Sequence, residues 1–146
     1  MDTEQYIQKL FDDSGWYKGR NAKIQNNMLD LFKPAYKNAL KIIKEYGGLT
    51  VGEVGPGRDL SASEIFFYSQ TFDLGKEYNN YWSGNINRLF SVASAHRDHM
   101  QIVVDDNNNF YIFTESDEQL YFGGSFQDTA NKVLLGLSYG NAVDKT

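Results

Sequence analysis

A chain of 146 residues, 41% hydrophobic and 15% aromatic, can bury roughly two-thirds of the surface its unfolded form exposes, so one domain needs no disulfide or metal to hold it. It has no Cys, which excludes disulfide frameworks, thiolate nucleophiles and Cys-based zinc sites. The formal charge of −5 is uneven: residues 1–58 carry nine basic and seven acidic side chains, and residues 59–146 carry five and twelve, an acidic half that repels phosphate backbones and favours a basic partner.

In Thr3–Asp13 the apolar residues Tyr6, Ile7, Leu10 and Phe11 form one helical stripe, with Thr3 as the expected cap and Ser14-Gly15 as the stop. Gly15-Trp16-Tyr17-Lys18-Gly19-Arg20 breaks the period and reads as a loop with a buried aromatic anchor. Asn21–Tyr46 is helical in pattern, with Ile24, Met28, Leu31 and Phe32 on one face, but Pro34 divides it. Two helices meeting near Lys33 follow, the second beginning at Pro34 and stopping at Gly47-Gly48.

Strand patterns come next. Leu49–Val54 alternates, Gly55-Pro56-Gly57 turns, and Glu64–Tyr68 is a compact apolar run. Leu74, Tyr78, Tyr81, Trp82 and Ile86 recur at helical spacing and predict a helix over Asp73–Arg88. Leu89–Ala93, Met100–Asp105 and Phe110–Thr114 read as strands, the last two joined by an Asp106–Asn109 hairpin turn. A strand Gln119–Phe122 leads through Gly123-Gly124 to a helix capped by Ser125 and stopped at Gly136. Residues 137–146 read as a flexible tail after a single domain over 1–136. Helices, then an antiparallel run of strands, then a closing helix give an α+β fold.

The chemistry-bearing residues are few. His96-Arg97-Asp98-His99 lies between strands, where loop or edge histidines are the expectation, and a catalytic pairing of His99 with Asp98 or Asp105 is the least poor enzyme candidate. Asp105, Asn107 and Asn109 mimic the start of a calcium loop, but Phe110 replaces its turn glycine and Ser116 its bidentate Glu. Gly55-Pro56-Gly57-Arg58 lacks the Lys-Ser/Thr of a phosphate loop. No cofactor, metal, nucleic-acid or membrane partner is called for, and no signal peptide or membrane span is read. A non-enzymatic protein of the cytoplasm is the expectation.

Gly15-Trp16-x-x-Gly19-Arg20, Gly47-Gly48-Leu49-x-Val51, Met100-x-Ile-Val-Val-Asp105, Phe110-Tyr111-Ile112, Phe122-Gly123 and Leu135-Gly136 resemble, in order over residues 3–136, the SUKH superfamily, nearest its third subfamily of bacterial immunity proteins. The resemblance implies an α+β domain with a largely antiparallel sheet. An exposed face of that sheet would neutralise a cognate protein toxin, often a nuclease, encoded by a neighbouring gene. Gly15, Trp16, Gly19, Arg20, Gly47, Gly48, Gly123 and Gly136 are then structural. The partner-binding candidates are Asp105, Asp106, Tyr111, Phe113, Glu115, Asp117, Glu118 and Tyr121, and the acidic half suits a basic toxin. Reversing Asp105, Asp106, Asp117 and Glu118 to Lys is expected to abolish protection without changing the thermal melt. The alternative is a regulatory interaction module with an unlinked partner.

Overall fold

The first helix, α1 (Thr3–Asp13), is closed at its start by a capping box one residue before the expected cap: Asp2 accepts from the Gln5 N–H at 2.8 Å, and Gln5 Oε1 accepts from the Asp2 N–H at 3.0 Å. Helix α2 (Pro34–Tyr46) begins at the proline, as its missing N–H allows, and turns Ala35, Tyr36, Ala39, Leu40 and Ile43 inward. The computed structural model describes residues 1–24, 33–78, 81, 82, 84, 86 and 88–146. The helix expected before Pro34 falls largely on residues 25–32, outside the described residues. Its described start, Asn21–Ile24, is irregular, with the Ala22 N–H donating to Lys44 O at 2.6 Å.

Six strands follow as an antiparallel meander in sequence order: β1 (Thr50–Val51), β2 (Ile65–Asp73), β3 (Phe90–Ala95), β4 (Met100–Val104), β5 (Phe110–Thr114) and β6 (Gln119–Gly124). Strand β1 is shorter than the alternation of Leu49–Val54 predicts, because Gly52 at φ 77° turns the chain away. The predicted helix over Asp73–Arg88 is only the single turn α3 (Leu74–Glu77) among the described residues. Helix α4 (Phe126–Leu135) has the expected start, Ser125 Oγ accepting from the Asp128 N–H at 3.0 Å. It stops at Gly136, where φ is 66° and an added Cβ would stand 2.3 Å from Leu60 O. Among the described residues, three long helices and the sheet make the fold α+β.

The pleat gives the sheet two different sides. Phe67, Ala93, Ile102, Ile112 and Tyr121 stand in register on the side that carries the helices. Phe67 is fully buried there, with its ring centroid 6.4 Å from Phe11, 5.1 Å from Tyr46 and 6.0 Å from Phe126. One side chain thus gathers three helices. The outer side carries the rows Phe66–Ser94–Gln101–Phe113–Leu120 and Phe72–Ser91–Val103–Tyr111–Phe122. Here Leu74, Trp82 and Leu89 cover Val103, Tyr111, Phe113 and Leu120 as a second apolar cluster. The helical spacing in 73–88 therefore reflects apolar residues laid across a sheet.

Residues 137–146 are not a loose tail. Ala142 bridges to Tyr121, the Val143 N–H donates to Leu120 O at 2.7 Å, and the Thr146 N–H donates to Tyr81 O at 2.6 Å, so the last residues run beside β6 and hold the segment that covers the outer side. Among the described residues no helix is long and apolar enough to cross a membrane.

Candidate protein-binding face

The sequence candidates separate onto the two ends of the sheet. Asp105 is 5% exposed and organises the β4–β5 turn: Oδ1 accepts from the Asn107 and Asn109 N–H groups, each at 2.9 Å, and Oδ2 accepts from the Tyr111 hydroxyl at 2.8 Å. Asp106 Oδ1 accepts from the Ala35 N–H at 3.1 Å, supplying α2 with the cap that Lys33 does not provide. Asn38 Nδ2 donates to Asp105 O at 2.9 Å and fastens the same helix to the same turn. Both carboxylates are therefore structural, and reversing their charge is expected to lower stability. This corrects the expectation of an unchanged melt.

Tyr111 and Phe113 are also corrected as contact residues. They are 6% and 0% exposed because Tyr78 and Trp82 lie on Phe113, with centroids 4.7 and 5.9 Å away, and Phe122 packs edge-on to Tyr111 at 5.6 Å. Tyr121 stands on the helix side, 5.7 Å from Tyr139. Glu115, Asp117 and Glu118 remain at the surface, in the β5–β6 turn at the opposite end from Asp105.

That end also carries the β3–β4 turn, His96–His99. His96, Arg97 and Asp98 have φ of 51°, 54° and 69°, three consecutive left-handed conformations in non-glycine residues, each unfavourable by about 1 kcal/mol. The two turns are joined by the Glu115 N–H donating to His99 O at 3.0 Å, and Glu64 accepts from the Arg97 N–H. Five carboxylates therefore surround one end of the sheet: Glu64, Asp98, Glu115, Asp117 and Glu118. Among the described residues none of them forms an ion pair.

The outer side of β2 begins at the same end of the sheet. Phe66 is 42% exposed, and Tyr68 and Phe72 continue the aromatic run along β2, with successive centroids 6.2 and 6.0 Å apart. Next to them the sheet is polar: Ser91 Oγ donates to Gln101 Oε1 at 2.7 Å, and Gln101 Nε2 donates to Glu115 Oε1 at 2.6 Å. Ser91 and Gln101 are buried, so this relay fixes a surface carboxylate from beneath. Phe66 and Tyr68 were not among the sequence candidates. The available signal was Glu64-x-Phe66-x-Tyr68 on one strand facing Ser94 and Gln101 on the next two.

The Gly-Trp-x-x-Gly-Arg element lies on the other side of the molecule and closes the end of α2. Arg20 donates to Glu45 O at 2.9 Å and Gly47 O at 2.8 Å, and Trp16 Nε1–H donates to Glu45 Oε2 at 3.0 Å. Gly47 leaves no room for a side chain, since an added Cβ would meet Ile43 O at 2.5 Å, and Gly48 takes the left-handed φ of 84°. Gly123 is close-packed too, with Thr129 Oγ1 at 2.1 Å from the place of a Cβ.

Tyr46, Tyr68, Tyr111 and Tyr139 have phenols raised above the ordinary value near 10.0. Burial raises Tyr111, helped by the hydrogen bond to Asp105 and that group's charge; burial and then Glu45 raise Tyr46; burial raises Tyr68 and Tyr139. A phenol whose folded value exceeds its unfolded one contributes stability that is complete below the unfolded value and lost as pH rises through the folded one. Thermal melts are therefore expected to fall steeply above pH 10.0, with tyrosinate absorbance appearing in step with unfolding. Tyr111→Phe is expected to flatten that fall.

Among the described residues no group of three His, Asp or Glu side chains could hold a metal ion. A cleft of about 420 Å³ between α1, the β1 loop and α4 is lined by Tyr6, Leu10, Asp13, Glu53, Pro56 and Leu134, among others, with no histidine in its wall. His99 and Asp105, the pair considered for catalysis, stand at opposite ends of β4. Compared with known families, the chain matches the model described as SUKH-3 immunity protein over residues 3–136. No match was found among curated proteins or among solved structures.

Proposed function

The chain belongs to the SUKH-3 immunity protein family, and from that membership we propose that it binds one cognate protein toxin stoichiometrically in the bacterial cytoplasm and blocks it without catalysis. The family match carries this reading, and the carboxylates at one end of the sheet, without ion pairs among the described residues, give it a surface suited to a basic protein. A nuclease is the toxin class that fits best, because an enzyme that grips a phosphate backbone presents the basic surface this face complements. Co-expression with the C-terminal domain of the toxin-like protein encoded beside it tests the proposal. Cells carrying both are expected to grow, and cells carrying the toxin domain alone to stop. Arrest in both would turn the reading toward a regulatory module with an unlinked partner.

A further inference from the structure

Residues 141–146 touch the sheet and the segment over it at two places. Ala142 bridges to Tyr121 and the Val143 N–H donates to Leu120 O at 2.7 Å, so this stretch of chain lies antiparallel along the β6 edge. The Val143 side chain packs onto the apolar cluster that holds Trp82, Tyr111, Phe113 and Leu120. Three residues on, the Thr146 N–H and Oγ1 both donate to Tyr81 O, at 2.6 and 3.0 Å, and Oγ1 accepts from the Gly84 N–H at 3.3 Å. Lys145 Nζ stands 4.8 Å from the centre of the Tyr81 ring. One short stretch thus pins both the edge of β6 and the chain beside Trp82.

Its own burial is slight. Every residue from 141 to 146 is exposed or half-buried, and the cluster beneath is separate from the main core that Phe67 gathers. Closure also leaves a donor unsatisfied: Trp82 is 1% exposed, yet its Nε1–H has no acceptor among the described residues, and hydration on opening would supply one. Surface backbone bonds, little buried apolar area and an orphaned donor underneath are the marks of a unit that opens well below the free energy of global unfolding. We propose that residues 141–146 form a strap that opens as one unit while the main core stays folded, and that its opening controls access to the β6 edge. An uncovered strand edge pairs readily with an extended chain. With the strap closed, Leu120 O is occupied from within the molecule; with it open, that acceptor and the apolar surface under Val143 are exposed together.

Amide hydrogen exchange on the isotopically labelled whole chain tests this. The Val143 and Thr146 amides are expected to exchange more slowly than in an unstructured peptide, yet about a hundredfold faster or more than the Ile102 and Ile112 amides of the two central strands. Low urea is expected to leave the strap amides nearly unchanged and to speed the central ones steeply, since only global unfolding exposes a large surface. Loosening either end should open both: Val143→Gly is expected to speed exchange at Thr146 about tenfold, and Thr146→Ala to speed it at Val143 several-fold. Ile43→Val, in the main core, is expected to speed exchange at Ile112 about fivefold and to leave Val143 and Thr146 within about twofold. Strap amides as protected as Ile112 would overturn the proposal, and so would strap amides as fast as those of an unstructured peptide. Ends that respond separately to the two strap variants, or equal acceleration of strap and sheet in Ile43→Val, would overturn it as well.

Discussion

Phe67→Ala is expected to cost about 3–5 kcal/mol, most of the stability of a domain of this size, while Phe66→Ala at the adjacent position costs under ~1 kcal/mol. The contrast follows from the pleat. Phe67 is 0% exposed and touches Phe11, Tyr46 and Phe126, so its removal opens a cavity where α1, α2 and α4 converge. Phe66 is 42% exposed on the opposite side. Urea denaturation of the two variants checks this directly. Equal losses would mean that the register of β2 is shifted by one residue.

Asp105→Ala is expected to cost about 3 kcal/mol, because one carboxylate satisfies two backbone N–H groups and a buried phenol. Asp105→Asn keeps the shape but replaces one acceptor oxygen with a donor, and about half that loss is expected. The Tyr111→Phe change tests the coupling. Made alone it should cost about 1 kcal/mol, and made in the Asp105→Ala background it should cost less, since the phenol has already lost its partner. Additive losses would show that the two groups act independently. Asp106→Ala, which removes only the α2 cap, is expected to cost about 1 kcal/mol.

Those two aspartates also show where sequence reading stops. The turn itself was legible, because Asp and Asn favour left-handed backbone and side-chain-to-backbone bonds within a few residues. That Asp106 reaches Ala35 is a contact across 71 positions, and no local pattern encodes it. For the same reason Pro34, Gly47-Gly48, Ser125 and Gly136 marked helix ends correctly, whereas Thr3 was displaced as cap by Asp2, a choice between adjacent residues of similar propensity.

Which face of β5 is buried also turned on a non-local point. Alternation in Phe110–Thr114 separates Tyr111 and Phe113 from Phe110 and Ile112, but it does not tell whether the outer side is covered. Leu74, Trp82 and Leu89 cover Val103, Tyr111, Phe113 and Leu120 there. The apolar run Glu64–Tyr68 hid the more useful division. Ile65 and Phe67 enter the core while Phe66 and Tyr68 leave it, and only the facing Ser94 and Gln101 reveal which side is which.

The proposed contact surface is the acidic end of the sheet, since Asp105 is buried in its turn. Calorimetric titration of the whole chain with the C-terminal domain of the proposed cognate toxin, at low and moderate salt, measures this most directly. Nanomolar one-to-one binding that weakens as salt is raised is the predicted result. No binding at either salt, or tight binding indifferent to salt, would contradict recognition of a basic toxin by this face.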